Sequence, residues 1–179
     1  MVRDYSIALD ISLSMNEPFS DMVPSKLQAS KEVIALLAQR VTIRGSRIAI
    51  TLFHGKSIPL LPPTNDYKTI IRSLTDLDIV GEGSALGDGI VEAVKILRFS
   101  RSTDKLVVVL TDGGVTEGVP VKAAVLYAKY SSIPLKIMVL NRRIEDGLKN
   151  EVESAGHPNM EIVLVETKQK LITEMLRLI

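Results

Sequence analysis

Asp10, Ser12 and Ser14 stand at alternating positions directly after the apolar run 5–9. A carboxylate and two hydroxyls at the end of a buried strand make a small cluster of hard oxygens. Such oxygens suit Mg²⁺ or Mn²⁺, which take six oxygen ligands and usually keep several waters. Two other stretches carry matching chemistry. Ser84 follows Gly81-Glu82-Gly83 and precedes a helical pattern, and Asp112 follows the Val-rich run 105–110. Together these residues offer two carboxylates and three hydroxyls, enough to hold a divalent ion and leave at least one coordination position open. The fold must then bring residues 10, 84 and 112 to one place.

The hydrophobic pattern supplies such a fold. Residues 5–10 are almost continuously apolar, as in a strand covered on both faces. Residues 16–23 read as a polar loop, and Pro24 opens a helix whose stripe is Leu27, Ser30, Ile34, Leu37 and Val41. Lys26, Lys31, Glu32 and Arg40 fall largely on its opposite side. Strands are predicted over 46–53 and 57–61, the second stopped by Pro62-Pro63. The short turn at 54–56 makes them an antiparallel hairpin at a sheet edge.

A short helix over 66–74, with Asp66 as its cap, precedes the helix carrying Leu86, Ile90, Ala93, Val94 and Leu97. Strand 105–110 leads to Thr111-Asp112-Gly113-Gly114, and Pro120 opens a helix with Val121, Ala124, Val125 and Ala128 on one face. Strand 135–140, a helix marked by Ile144, Leu148, Val152 and Ala155, strand 160–165 and helix 168–178 complete the chain. Alternating strands and helices predict an α/β fold, an open, mostly parallel sheet with helices on both faces. No linker or repeat divides it, so residues 1–179 read as one domain. In such a sheet, ligands bind beyond the C-terminal ends of the strands near the switch in strand order. All three polar clusters lie at that edge.

Composition removes several function classes. There is no cysteine, which excludes disulfides, thiolate zinc sites and thiol nucleophiles. Net charge is +1 and aromatic residues are 4%, so neither a basic field nor stacking platforms point to nucleic acid. Residues 1–4 enter the first strand without a signal-peptide core, and no apolar run approaches the roughly 18–20 residues of a membrane span. The expectation is a soluble cytoplasmic protein without membrane association.

Asp10-x-Ser12-x-Ser14, Gly83-Ser84-x-Leu86-Gly87-Asp88-Gly89-Ile90 before a helix, and Thr111-Asp112-Gly113 after an apolar strand resemble, in order and spacing, a von Willebrand factor type A (VWA) domain. That resemblance covers essentially the whole chain. It implies a three-layer, Rossmann-like α/β/α sandwich with strand order 3-2-1-4-5-6 and one antiparallel edge strand. It also implies a metal-ion-dependent adhesion site. Ser12 and Ser14 would bind the ion directly, Ser84 would stand where the family mostly has Thr, and Asp10 and Asp112 would act partly through coordinated waters. A partner's Asp or Glu would complete the shell. Stand-alone cytosolic members often work beside ring-shaped AAA ATPases or within multi-subunit assemblies, which implies a similar role here.

Plainer readings exist for each residue. Asp10, Ser12, Ser14 and Asp112 are ordinary turn formers, and Ser84 could serve only as a helix N-cap. Gly81-x-Gly83-x-x-x-Gly87 is one residue off a dinucleotide-loop spacing and lacks a clear preceding strand. His54 and His157 read as surface turn residues, and Glu17 and Glu117 as solvated loop charges. The function expected is a non-enzymatic, Mg²⁺-dependent protein-binding module. A Mg²⁺- or Mn²⁺-dependent phosphatase or other hydrolase is the alternative. Against it, Ser12 stands where haloacid-dehalogenase-like phosphatases have the second carboxylate of Asp-x-Asp. A structural subunit without metal function is the third possibility.

Overall fold

β1 (Asp4–Asp10) lies at the centre of a six-stranded sheet ordered β3-β2-β1-β4-β5-β6 in a computed structural model that describes residues 2–19 and 25–179. The other strands are β2 (Arg47–Phe53), β3 (Ser57–Thr64), β4 (Lys105–Thr111), β5 (Leu135–Val139) and β6 (Met160–Leu164). Every pair is parallel except β2 with β3. The helices are α1 (Lys26–Thr42), α2 (Tyr67–Thr75), α3 (Leu86–Arg98), α4 (Val121–Tyr130), α5 (Asp146–Ser154) and α6 (Lys168–Leu176). This is the expected Rossmann-like arrangement, with the expected strand order. Pro24 and the loop positions 20–23 lie outside the described residues.

Strand alternation sorts the core into two layers. Ile7, Leu9 and Ile11 pack with α1, α2 and α6, while Ala8, Val107 and Val109 pack with α3, α4 and α5. Ile7, Leu9, Ile34, Leu37 and Ile90 have no exposed surface, and each such side chain stabilises the fold by about 1.5–3 kcal/mol. Asp10 has the parity of Ala8, and Thr111 that of Val109, so both turn toward the α3 side. Leu9 pairs with Leu110 across the sheet, which sets Asp10 and Thr111 side by side. The chain winds from β1 out to β2 and β3, then returns to β4 on the other side of β1. Their C-terminal ends therefore flank the crevice at the reversal.

Four sequence expectations change. β3 runs through Pro62 and Pro63 to Thr64 instead of stopping at residue 61. As an edge strand it bonds only to β2, with register irregularities near Ile50, so missing proline N–H groups are tolerated. α5 begins at Asp146 because Glu145 is extended (φ −64°, ψ 137°), leaving Ile144 in the lead-in, where it packs against the α3 layer. His157 is buried: Nε2 lies 2.9 Å from the Ile133 carbonyl, and Asn159 N donates to Nδ1 at 3.1 Å. Lys26, expected toward solvent, is buried too.

Candidate metal centre

Three loops meet at the C-terminal ends of β1 and β4. The first leaves β1 at Asp10 and turns through a single 3₁₀ turn, Leu13–Asn16. Asp10 Oδ1 accepts the Ser12 N–H at 2.9 Å, and the Ser12 and Ser14 hydroxyls lie 3.2 Å apart. This is the local Asx-type bonding of a turn carboxylate, but it engages only one oxygen. Oδ2 accepts Thr111 Oγ1 at 2.7 Å from the neighbouring strand and Ser84 Oγ at 3.3 Å from the second loop.

Ser84 is not a cap. α3 starts one residue later than that reading requires, with Ala85 at the cap position and no side-chain cap bond. Its hydroxyl is thereby released toward Asp10. The backbone around it is clamped to the third loop, since Ser84 N donates to Thr116 Oγ1 at 2.8 Å and Thr116 N donates to Ser84 O at 3.0 Å. A parallel bridge between Ser12 and Gly81 ties the second loop to the first. Gly83 adopts φ +81°, and a Cβ there would fall 1.9 Å from the Glu117 carboxylate, so this loop needs glycine.

Asp112 follows Thr111 at the end of β4. Its Oδ1 accepts Gly114 N at 3.2 Å, and its Oδ2 lies 3.8 Å from Lys26 Nζ. Asn141 Nδ2 donates to the Asp112 carbonyl at 3.0 Å, which fixes the turn against the end of β5. Burial pushes the Asp10 carboxyl up from its ordinary range. Hydrogen bonds from Ser12 and Thr111 pull it down, and the Asp112 charge adds to the upward push. The two carboxylates are thus close enough to feel each other in a poorly hydrated place.

A shallow cleft of about 260 Å³ opens above these residues, lined by Ser12, Ser14, Glu82, Gly83, Ser84 and Thr116 among others. The structure therefore joins Asp10, Ser12, Ser14 and Ser84 by direct or relayed contacts and sets Asp112 alongside. Among the described residues no group of three or more His, Cys, Asp or Glu could hold a metal, so any cation here depends on the hydroxyls. A donor set of carboxylate and hydroxyl oxygen, with no nitrogen or sulfur, fits Mg²⁺ or Mn²⁺.

Three further residues belong to the site. Thr111 was visible only as part of a motif, and its hydroxyl proves to be a donor to Asp10. Thr116 had no sequence signal, because its partner is the backbone of residue 84. Lys26 lay one residue before the helical stripe of α1 and read as a surface charge.

A sequence model of the von Willebrand factor type A domain matches residues 6–115, more than half of the chain. The chain belongs to that family. An uncharacterized protein of Borreliella burgdorferi is 37% identical over 116 residues, 63% of this chain and 33% of that protein. The VWA chain thus spans about a third of that relative's length. Solved structures give the same fold. An aerotolerance-related membrane protein from Bacteroides fragilis matches with a TM-score of 0.76 and 24% identity over 98% of this chain and 99% of that one. The VWA domain of SpRpn10 matches with a TM-score of 0.73 and 15% identity over 100% of this chain and 96% of that one. No helix among the described residues of this VWA domain is long and apolar enough to cross a membrane.

Proposed function

We propose that this VWA domain is a non-enzymatic protein-interaction module whose contact is bridged by Mg²⁺ or Mn²⁺. Asp10, Ser12, Ser14, Ser84 and Asp112 would hold the ion, and an Asp or Glu of a partner protein would occupy its open position. When bound, the ion would supply a Lewis-acidic anchor for that carboxylate. The observation that carries this reading is the meeting of Ser84 and Thr111 on Asp10 Oδ2, because it draws three separate loops onto one carboxylate.

The protein's own groups have distinct parts. Asp10 organises the loops and places negative charge beneath the hydroxyls. Ser12 and Ser14 present oxygen to the cleft, and the Thr116 clamp keeps Ser84 facing Asp10. A partner carboxylate would be selected by the ion, and its flanking residues by Leu13 and Val115, both exposed beside the site. The setting proposed is intracellular and within a multi-subunit assembly, with a ring-shaped AAA ATPase as one candidate partner.

The test is affinity capture from a lysate of the source organism, in Mg²⁺ and in chelator, with wild type and Asp10→Ala. A defined partner retained only by wild type and only with metal is the expected result. Equal retention in all arms would overturn the metal bridge. Hydrolysis of a generic phosphomonoester that needs Mg²⁺ and Asp10 would overturn the non-enzymatic reading.

A further inference from the structure

Lys26 is the first residue of α1, and its side chain is only 7% exposed. That is a costly place for an ammonium group on two counts. Burial strips its hydration, and the N-terminal end of a helix is electropositive, which disfavours a cation. The compensation comes from two carboxylates. Nζ donates to Glu17 Oε2 at 2.9 Å and lies 3.8 Å from Asp112 Oδ2. Glu17 also accepts the Lys26 backbone N–H at 3.0 Å, so the residue is gripped twice.

The two partners are not equivalent. The Glu17 side chain is 65% exposed, so water screens it, whereas that of Asp112 is 9% exposed. The Lys26–Asp112 attraction is therefore the less screened of the two. Asp112 is also one of the two carboxylates that the metal reading assigns to the ion. A fixed positive charge there repels a divalent cation and competes for Asp112 Oδ2.

We infer that Lys26 is the site's internal counter-cation. It neutralises Asp112 in the metal-free protein and holds divalent-ion affinity down, so that lasting occupancy depends on the carboxylate a partner contributes. This inference rests on the metal reading of the same site. A purely structural Lys26, serving only to fasten Glu17 to the start of α1, gives the opposite expectation, since removing it would loosen Asp112 and weaken the site.

The experiment titrates the full chain with Mn²⁺ and reads free ion by electron paramagnetic resonance. It compares wild type, Lys26→Met, Lys26→Arg and Glu17→Gln, with Asp10→Ala as the control lacking a site. Lys26→Met should bind Mn²⁺ about tenfold tighter than wild type, the scale expected for removing one poorly screened charge. Lys26→Arg should resemble wild type. Glu17→Gln should bind more weakly, because it leaves the Lys26 charge facing Asp112 alone. A folded Lys26→Met that binds no tighter overturns the inference. Should that variant fail to fold, a Glu17→Gln affinity equal to or above wild type overturns it. Mn²⁺ uptake by wild type with the wrong order among variants removes the inference alone. Absence of uptake by wild type and Lys26→Met together removes the metal reading with it.

Discussion

Ser84 Oγ donates to Asp10 Oδ2 at 3.3 Å, across 74 residues of sequence. Thr111 Oγ1 reaches the same oxygen, and Ser12 N takes the other. The Ser12 hydroxyl bears on this carboxylate as well, so its roughly four acceptor positions are drawn on from every side. Asp10 is consequently both the knot that joins the loops and a member of the proposed metal-binding group.

Removing the Ser84 hydroxyl separates these two roles. Ser84→Ala deletes one bond to a charged acceptor while Thr111 continues to donate, so the stability loss should be about 1 kcal/mol in urea denaturation. Metal-dependent partner capture should fall sharply in the same variant. Ser84→Thr, which restores a hydroxyl, should recover capture. Equal capture by Ser84→Ala and wild type would remove Ser84 from the binding group.

The pair Lys136–Glu174 gives the clearest pH dependence. Lys136 Nζ donates to Glu174 Oε2 at 2.8 Å, with both side chains under 10% exposed. The Lys136 hydrogen bond outweighs desolvation and holds the Glu174 carboxyl below the ordinary glutamate range. Burial pulls the Lys136 ammonium down, but bonds to Glu174 and Glu161 outweigh it and leave it raised. A depressed carboxyl contributes stability above its unfolded pKa, roughly 4.3, and loses it as pH falls through the folded value. The raised ammonium contributes below its unfolded pKa, roughly 10.4, and loses it as pH rises through the folded value. Glu174→Gln should cost on the order of 2 kcal/mol at neutral pH, with Glu161 still partnering Lys136. Urea melts should show the gap to wild type closing at pH values well below 4. A gap unchanged there would refute the assignment.

Two glycines should respond oppositely to alanine. Gly83→Ala must hold a side chain at φ +81° against the Glu117 carboxylate, which should cost about 1–3 kcal/mol and lower the melting temperature. Gly147 lies in α5 with nothing within 4 Å of a Cβ placed there. Gly147→Ala should therefore be neutral or gain up to about 1 kcal/mol. Differential scanning calorimetry of the pair checks both signs.

His157 fastens the lead-in to β6 against the lead-in to β5 through Ile133 O and Asn159 N. His157→Ala leaves the buried Ile133 carbonyl and the partly buried Asn159 N–H without their partner, at a cost of about 1–3 kcal/mol. Urea denaturation at neutral pH measures it. A change under about 0.5 kcal/mol, the usual range for a surface position, would contradict the burial.

Much of this was legible because the signals were local and periodic. The apolar run before Asp10, the three- and four-residue steps of α1 and α3, and the Val-rich run before Asp112 place their elements without knowledge of contacts. The strand order came from likeness to a family, since periodicity carries no neighbour information. What sequence missed depended on partners far along the chain. Pro62 and Pro63 usually end strands, and only an edge position lets β3 absorb them. The plainer reading of Ser84 as a cap is excluded only when the start of α3 is known to one residue. Lys26 reads as solvated until Asp112, 86 positions away by their numbering, is brought beside it. His157 beside Gly156 and Pro158 looks like a turn tip, and burial comes from the neighbouring β5 lead-in.

The prolines of β3 also decide how other chains can approach the sheet. Pro59, Pro62 and Pro63 lie along its outermost strand, and none has an N–H to give a newcomer. An extended segment seeking to lengthen the sheet finds an interrupted ladder on that side. The opposite border, β6, is five residues long and carries the exposed Glu161. Strand-to-strand recruitment is thus directed away from β3, and polymerisation by edge pairing is blocked on one flank.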